Sequence, residues 1–350
     1  MKLIVSGGGT GGHFFPALEI LKRARERDLD TLFVGTRRGI EVRYEEEIPG
    51  DRLFLETYPF RGVSLSGKLK SLKELIRSTL GLRSRVGGDF RAVILGGYPS
   101  VPVALLTLMR RKNLYIHEQN SVPSATNRSF ALFARKIFIT FEYTRSYFRG
   151  RHVIRTGLPV RSELLQSRTD RRRARELLGL DPDREVVLFM GGSQGAVFLN
   201  NMALEFARRT GLETLLLSGE RDYERVREAG RGVPNLRIFP FRRDMGTVYS
   251  AVDAAVCRAG AGTIGELSCF RVPALFVPYP YAAGDHQFYN AREIEDLGGG
   301  FVLRQEEATP EEVIRYVERI LADREVMAEG IGRFFSPSAS AVILDHILQD

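Results

Sequence analysis

Short apolar runs of three to five residues recur along the chain and alternate with longer amphipathic stretches. Apolar runs of this length predict β-strands that are buried on both faces, and the amphipathic stretches between them predict helices. Strands that alternate with helices indicate parallel sheets in the doubly wound α/β class. The predicted strands are residues 3–5, 31–34, 53–55, 92–95, 114–116, 137–140, 186–190, 214–217, 236–239, 254–257 and 274–277, and the clearest helical patterns are 16–27 and 199–209.

The two halves of the chain share one order of elements. Each opens with a strand, continues through a glycine turn and enters a helix, at residues 3–12 and again at residues 186–195. We therefore predict two α/β domains, 1–158 and 159–335, which would face a ligand cleft. A terminal segment, 336–350, carries one more helical pattern and is expected to pack back on the first domain. The arginine-rich stretch 168–175 is interpreted as a solvated helix start, with Thr169 or Asp170 as its cap.

Length and composition narrow the class of protein. The 350 residues suit two domains, and the longest apolar stretch, 101–109, is about half of the ~20 residues that a membrane-spanning helix needs. No secretory signal pattern is visible at the start, which predicts a cytoplasmic protein. Cys257 and Cys269 lack metal-ligand spacing and are expected to be small buried hydrophobic residues. The five histidines are scattered along the chain, which predicts no bound catalytic metal ion, and no cofactor is expected.

The net charge of +8 raises three classes of partner: nucleic acid, an anionic membrane and phosphorylated substrates. Nucleic acid is disfavoured because no basic surface interleaved with aromatic residues is visible. Residues 61–85 contain seven Lys or Arg and a single acidic residue, Glu74, with leucines at near-helical spacing. This segment predicts either a helix that lies on an anionic membrane surface or an ordinary domain helix with a solvated basic face.

The first glycine turn, residues 7–12, is followed directly by His13. Five of its six residues are glycine, which permits positive φ angles and lets backbone N–H groups approach a ligand. The helix after the turn, expected to start near Pro16, would offer a partially positive N-terminus to an anion. The turn lacks the Lys-Ser/Thr ending of a phosphate-binding Walker loop, and its match to the dinucleotide pattern is weak. His13 is interpreted as a general base for a hydroxyl nucleophile, the alternative being a helix-entry histidine bonded to the backbone.

Two further glycine turns follow strands in the second half. Residues 191–195 include Ser193, whose hydroxyl could donate to a phosphate oxygen. Residues 259–263 lead into a helix that carries Glu266, a carboxylate suited to the two hydroxyls of a ribose, or else to the positive end of the helix dipole. Arg161 could neutralise a diphosphate without a metal, although a surface position is equally natural in an arginine-rich chain. Together the turns indicate a ligand that carries a diphosphate.

Other polar residues follow predicted strands or precede a helix. The stretches 96–100 and 117–120 come after strands of the first half, so they should line the same cleft. Asp285, His286 and Gln287 precede a helix of the second half and could contact sugar hydroxyls, the alternative being ordinary capping by Asp285.

This combination of motifs resembles the MurG family of N-acetylglucosaminyltransferases along essentially the whole chain. The motifs that carry the resemblance are residues 8–13 with Pro16, 96–98, 117–120, Gly157 with 159–161, 191–195 with Asn200, and Glu266. The resemblance implies two Rossmann-like domains of the GT-B fold and an inverting transfer of GlcNAc from UDP-GlcNAc to lipid I, the undecaprenyl-pyrophosphoryl-MurNAc-pentapeptide. It also implies a role in peptidoglycan synthesis, cell shape and cell division, at the cytoplasmic face of the cell membrane.

The resemblance implies roles for particular residues as well. His13 would be the catalytic base, Tyr98 and Glu118 would contact the acceptor, and residues 61–85 with 101–112 would face the membrane. The donor would be bound by Thr10, Gly11, Gly12, Asn120, Arg161, Ser193, Arg242, Ala261, Gly262, Thr263, Ile264, Gly265, Glu266 and Gln287.

Departures from the family pattern concern details of donor contact. Leu158 stands where the family usually has Asn, Val101 replaces a common Gly, residues 124–127 read Ser-Ala-Thr-Asn, and Arg242 with Arg243 is more basic than usual. The alternatives in the same fold are a diacylglycerol glycosyltransferase and a UDP-GlcNAc 2-epimerase, and a non-catalytic UDP-sugar sensor is the alternative outside catalysis.

Overall fold

A computed structural model describes residues 1–56, 65–192 and 194–350, and gives the helix over 65–72 without its side chains. The described chain divides into two compact units. The first unit comprises Met1–Val160 with Ser336–Asp350, and the second comprises Arg161–Phe335. The sequence placed this division two residues earlier, between Leu158 and Pro159.

The first unit is built on one parallel sheet with the strand order β3-β2-β1-β4-β5-β6-β7. The helices that follow these strands belong to the same unit, as expected for a parallel sheet. The strands are β1 Lys2–Ser6, β2 Asp30–Thr36, β3 Asp51–Leu55, β4 Phe90–Ile94, β5 Leu114–Glu118, β6 Lys136–Ile139 and β7 Val153–Arg155. The α-helices are α1 Gly11–Arg25, α2 Leu65–Arg85, α3 Ser100–Met109 and α4 Ala125–Phe130, with 3-10 helices at Ile40–Glu47, Ala131–Phe133 and Glu142–Phe148.

The C-terminal segment belongs to this first unit through helix α14, Ala339–Leu348. Ile343, Leu344 and Ile347 are fully buried in the same apolar cluster as the inner face of α1. The side chain of Arg27, just after α1, also donates to Asp345 at 2.5 Å. The amphipathic pattern of the segment therefore has its physical explanation in packing against the first helix.

The second unit repeats the arrangement with the strand order β10-β9-β8-β11-β12-β13. Counted within each unit, both sheets contain the order 3-2-1-4-5-6 that is typical of Rossmann-like domains, and the first sheet adds a seventh strand at its end. The strands are β8 Val186–Met190, β9 Glu213–Leu217, β10 Leu236–Phe239, β11 Ala254–Cys257, β12 Ala274–Phe276 and β13 Gly300–Val302. The helices are α5 Ser162–Gln166, α6 Arg171–Leu177, α7 Val197–Arg209, α8 Tyr223–Ala229, α9 Met245–Ala251, α10 Ala261–Phe270, α11 His286–Asp296, α12 Pro310–Ala322 and α13 Arg324–Gly332, with a 3-10 helix at Ala283–Asp285.

The doubly wound α/β fold is confirmed, and so are the eleven predicted strands, each within two residues at either end. Two strands of three residues each, β7 and β13, were not predicted. Asp170 is the cap of α6, since its carboxylate accepts from the N–H of Arg173 at 3.1 Å. Cys257 and Cys269 are buried free thiols, as expected.

The predicted start of the first helix near Pro16 is wrong. Helix α1 begins at Gly11 and has Pro16 as its sixth residue, so the glycines of the turn form the first helical turn. Pro16 lacks only the N–H that would reach back to Gly12, so the helix continues through it into the apolar face formed by Ala17, Leu18 and Leu21.

Candidate functional site

The first glycine turn joins the end of β1 to the start of α1. Gly11 and Gly12 are the first two residues of α1, so their backbone N–H groups lie in its first turn. Thr10 precedes the helix, and its hydroxyl lies 3.1 Å from Nδ1 of His13. Thr10 and Gly12 are exposed, and His13 is half-buried. The predicted donor residues Thr10, Gly11 and Gly12 and the predicted base His13 therefore share one accessible helix start.

Part of this turn is occupied by a side chain of the protein itself. The carboxylate of Glu41, in the 3-10 helix Ile40–Glu47, accepts the N–H of Gly9 at 2.9 Å and that of Thr36 at 2.9 Å. Glu41 is fully buried. Sequence reasoning missed this residue because nothing local marks a carboxylate that contacts a turn 32 positions away.

His13 has neighbours from two other predicted stretches. A Cβ built on Gly96 would lie 3.3 Å from Nε2 of His13, 2.8 Å from the Ser124 hydroxyl and 3.4 Å from the Asn127 amide nitrogen. Gly96 has a φ of +97°, which glycine adopts without strain. A Cβ on Gly9 would likewise contact the ring of Tyr98 at 3.7 Å. The first unit thus brings His13 and Tyr98, from separate predicted stretches, to one end of its sheet, and adds Ser124 and Asn127, which the sequence did not single out.

His117 and Glu118 at the end of β5 are completely buried. Burial lowers the pKa of His117 to about 4, against a smaller opposing effect of its hydrogen bond to the carbonyl of Gly157. Burial raises the pKa of Glu118 to about 7, although its carboxylate accepts from Asn120 N–H, Ser124 N–H and the Asn127 amide. Through these hydrogen bonds Glu118 stabilises the loop that carries Asn120. Contact between Glu118 and the acceptor stays a prediction.

In the second unit, the turn between β8 and α7 requires glycine at particular positions, because a side chain there would clash with neighbouring backbone. A Cβ on Gly191 would lie 2.3 Å from the Ala196 nitrogen, and one on Gly195 would lie 2.1 Å from the Ser218 carbonyl oxygen. Gly192 and Gly195 also have φ angles of +85° and +72°. Ser193, the predicted phosphate donor, lies outside the described residues, so its role stays a prediction.

Glu266 on α10 is held by two partners. Its Oε1 accepts from Arg161 Nη2 at 2.8 Å, and its Oε2 accepts from the Tyr249 hydroxyl at 2.8 Å. The Arg161 and Glu266 side chains are 21% and 18% exposed, so the pair is accessible. Burial and the adjacent Glu266 raise the pKa of Tyr249 well above its usual value, which keeps its hydroxyl a donor. Tyr249 is a partner of Glu266 that sequence reasoning missed.

The start of α10 offers the strongest candidate anion site of the second unit. Ala261, Gly262 and Thr263 are its first three residues, whose N–H groups have no partner within a helix. Apart from its two chain neighbours and the backbone of its own helix, a Cβ on Gly262 would meet no atom within 4 Å. Ile264 and Gly265 are buried, so their contact with the donor stays a prediction.

Gln287 and Arg242 are also part of local networks. Gln287 Oε1 accepts from Ala259 N–H at 3.2 Å and Tyr279 N–H at 2.9 Å, which leaves its amide nitrogen for a ligand. Arg242 donates twice to Asp244, at 2.8 and 2.6 Å, and this lowers the pKa of Asp244.

Asp285 does not cap α11 with its side chain; its carboxylate accepts from Arg304 at 2.8 Å.

The described part of the chain contains neither a candidate metal site nor a helix that could span a membrane. Over residues 1–56, 65–192 and 194–350, no group of three or more His, Cys, Asp or Glu side chains could hold a metal ion. The helices within those ranges include none long and apolar enough to cross a membrane.

Two Rossmann-like sheets with polar side chains and glycine turns after their strands fit the GT-B fold, the fold class of many nucleotide-sugar glycosyltransferases. Residues 3–139 match the model of the glycosyltransferase family 28 N-terminal domain, and residues 186–341 match that of the family 28 C-terminal domain. The chain belongs to the family of UDP-N-acetylglucosamine–N-acetylmuramyl-(pentapeptide) pyrophosphoryl-undecaprenol N-acetylglucosamine transferases, the MurG family. The resemblance inferred from the sequence motifs is thereby confirmed.

Two curated relatives illustrate the likeness. The transferase of this name from Aquifex aeolicus strain VF5 is 44% identical over 348 residues, which cover 99% of each chain. The one from Sulfurihydrogenibium sp. strain YO3AOP1 is 32% identical and covers 100% of this chain and 98% of its own.

Solved structures agree on the fold. A crystal structure of MurG from Acinetobacter baumannii has a TM-score of 0.76 at 25% identity and covers 100% of this chain and 99% of its own. A UDP-GlcNAc 2-epimerase from Neisseria meningitidis, bound to UDP-GlcNAc, has a TM-score of 0.71 at 11% identity, with full coverage of both chains. At that identity the second likeness shows only that the two proteins share a fold.

Proposed function

We propose that this enzyme transfers GlcNAc from UDP-GlcNAc to the muramyl 4-hydroxyl of lipid I, with inversion, to form lipid II. The names of its full-length relatives, which specify UDP-N-acetylglucosamine and the undecaprenyl-linked muramyl acceptor, support this donor and this acceptor. The reaction belongs to peptidoglycan synthesis and thus to cell-wall biogenesis, cell shape and division.

The observation that carries the proposal is the start of α10. Glycine costs a helix up to about 1 kcal/mol relative to alanine. Gly262 is nevertheless the second residue of α10, although a Cβ there would touch no atom within 4 Å outside its chain neighbours and its own helix backbone. Close approach of a ligand explains this choice, because the N–H groups of Gly262 and its neighbours suit a diphosphate.

We assign the rest of the donor site from the same end of the second sheet. Glu266 accepts the two ribose hydroxyls, and Arg161 contributes positive charge to the diphosphate. Residues 242–245 lie by the uracil, while the Gln287 amide donates to the sugar. Ser193, Asn120, Thr10, Gly11 and Gly12 complete the proposed donor contacts.

The proposed chemistry is a direct displacement. The muramyl 4-hydroxyl attacks the anomeric carbon of GlcNAc, the bond from that carbon to the diphosphate oxygen breaks, and UDP leaves. His13 accepts the hydroxyl proton, and the Thr10 hydroxyl at 3.1 Å from Nδ1 holds its ring so that Nε2 faces the nucleophile. The α10 N-terminus and Arg161 stabilise the negative charge on UDP. Attack opposite to the leaving group gives the β-1,4 linkage.

We further propose that the first unit rests on the cytoplasmic face of the membrane. Ile76 and Leu80 on α2 and Met109 on α3 are each more than half exposed. Arg77 and Arg83 lie on the same helix, so an apolar surface with basic neighbours is available to an anionic leaflet. Residues 57–64 and the side chains of 65–72 lie outside the description, and their part in this surface rests on the sequence alone.

The test is a coupled assay for released UDP with purified enzyme, UDP-GlcNAc and a soluble lipid I analogue. We expect UDP release that depends on the acceptor and a product that contains the GlcNAc-β-1,4-MurNAc disaccharide. Conversion of UDP-GlcNAc to UDP-ManNAc without acceptor would identify an epimerase instead. Transfer to diacylglycerol but not to the muramyl acceptor would identify a lipid glycosyltransferase, and donor binding without turnover would identify a sensor.

A further inference from the structure

The buried carboxylate of Glu41 has no role in the reaction described so far. It lies against the first glycine turn and accepts the Gly9 N–H at 2.9 Å through Oε2 and at 3.2 Å through Oε1. Its Oε1 also accepts the Thr36 N–H at 2.9 Å, at the end of β2. A carboxylate of the chain therefore occupies the Gly9 N–H, which the glycine pattern alone assigns to a ligand.

Two glycines are explained by this carboxylate. A Cβ on Gly8 would lie 2.2 Å from Glu41 Oε1, and a Cβ on Gly39 would lie 1.9 Å from Oε2. The three nearest atoms at both positions all belong to Glu41, and neither glycine has a positive φ. The Glu41 carboxylate is the nearest obstacle to a Cβ at Gly8 and at Gly39, so glycine at these two positions makes room for Glu41.

Glu41 is connected to the proposed base by a short path. Its bond to the Gly9 N–H fixes the residue directly before Thr10, and the Thr10 hydroxyl contacts His13 Nδ1 at 3.1 Å. Gly9 has a φ of +84°, a conformation that needs outside support because a free glycine samples many others. The carboxylate thus determines where Thr10 stands relative to the His13 ring.

We propose that Glu41 is a positioning residue that holds the first glycine turn so that Thr10 orients His13 toward the acceptor hydroxyl. The inference rests on the proposed function, since His13 is the base in that reaction. It assigns the Gly8–Gly9 part of the turn to an internal carboxylate. The donor diphosphate is accordingly left to the second unit.

The test compares Glu41→Gln, which keeps the shape of the side chain, with Glu46→Gln, an exposed neighbour in the same 3-10 helix. We expect Glu41→Gln to lower kcat about 10- to 100-fold, the loss typical of a slightly misplaced catalytic group, with the KM for UDP-GlcNAc changed less than about 3-fold. Glu46→Gln should match the wild type. The ¹⁵N shifts of the His13 ring should change in Glu41→Gln and not in Glu46→Gln.

A second comparison tests the contact itself. Gly8→Ala should reduce kcat as strongly as Glu41→Gln, because the new Cβ displaces the carboxylate. In a Glu41→Ala background, Gly8→Ala should cause no further loss, since the clash is gone. Losses that multiply in the double variant, or unchanged kcat and His13 shifts in Glu41→Gln, would overturn the proposal. The ring shifts need no substrate, so they test the positioning of His13 even if the wild type fails to transfer GlcNAc.

Discussion

Arg161 donates from Nη2 to Oε1 of Glu266 at 2.8 Å, so two residues assigned to different parts of the donor are paired with each other. The pair is only partly exposed, and Tyr249 holds the second carboxylate oxygen at 2.8 Å. A ribose that binds Glu266 must therefore compete with or join these donors. The arrangement holds the carboxylate in place for contact with the two hydroxyls of a ribose.

Glu266→Gln should weaken donor binding more than it slows turnover. The amide presents N–H donors to the ribose hydroxyls and weakens the Arg161 contact, so we expect the KM for UDP-GlcNAc to rise about 10-fold or more, equivalent to ~1.4 kcal/mol. Steady-state kinetics with each substrate varied in turn measure this effect. The exposed Glu224→Gln serves as the control, and an equal donor KM in both variants would contradict the assignment.

His13→Ala should lower turnover by about 10²–10⁴-fold, the usual contribution of a general base. The affinity for UDP-GlcNAc should change little, because the diphosphate and ribose contacts proposed here lie in the second unit. Calorimetric titration with UDP and the UDP-release assay separate the two effects. His152→Ala, at an exposed histidine of the same unit, should behave as wild type; a full rate in His13→Ala would refute the base assignment.

The sequence predicted the sheets well because buried parallel strands are continuous apolar runs, as at Val186–Met190. It placed the start of α1 wrongly because glycines and an interior proline both argue against helix, whereas Gly11–His13 are helical and Pro16 is accommodated. The predicted site residues were those marked by local motifs. Glu41 and Tyr249 were missed because their contacts join residues 32 and 17 positions apart, and no local pattern records such a pairing.

The first unit should lose stability in acid partly through His117. Its pKa of about 4 in the folded protein lies below the ordinary value of 6.5, so between these values the unfolded chain binds a proton that the folded chain does not. The contribution of neutral His117 to the free energy of unfolding is thus complete above pH 6.5 and is lost as pH falls toward 4. The total loss is about 3 kcal/mol. Glu118, whose pKa is raised to about 7, changes the free energy of unfolding in the opposite direction, because its stabilising contribution is lost as pH rises toward 7.

Because the two slopes oppose each other, the measurement compares the wild type with His117→Gln by denaturant unfolding at pH 4, 5, 6 and 7. The stability advantage of the wild type should grow steadily over this range. His152→Gln, at the exposed position, should show a constant difference from the wild type. A pH-independent gap for His117→Gln would mean that His117 titrates alike in the folded and unfolded chains.

The Gly262→Ala variant tests whether glycine at the start of α10 is needed for stability or for the close approach of a ligand. Outside its chain neighbours and its own helix backbone, the new Cβ would contact no atom within 4 Å, and the residue already lies in a helix. The free energy of unfolding should therefore stay constant or rise by up to about 1 kcal/mol. If the diphosphate packs against this turn, the same methyl group should weaken UDP binding about 10-fold or more. Gly81→Ala, another helical glycine with no atom within 4 Å of its Cβ, is the matched control and should leave UDP affinity unchanged. Equal UDP affinities for Gly262→Ala and the wild type by calorimetry would place the diphosphate elsewhere, because a bound phosphate in contact with the Gly262 backbone leaves no room for the added methyl.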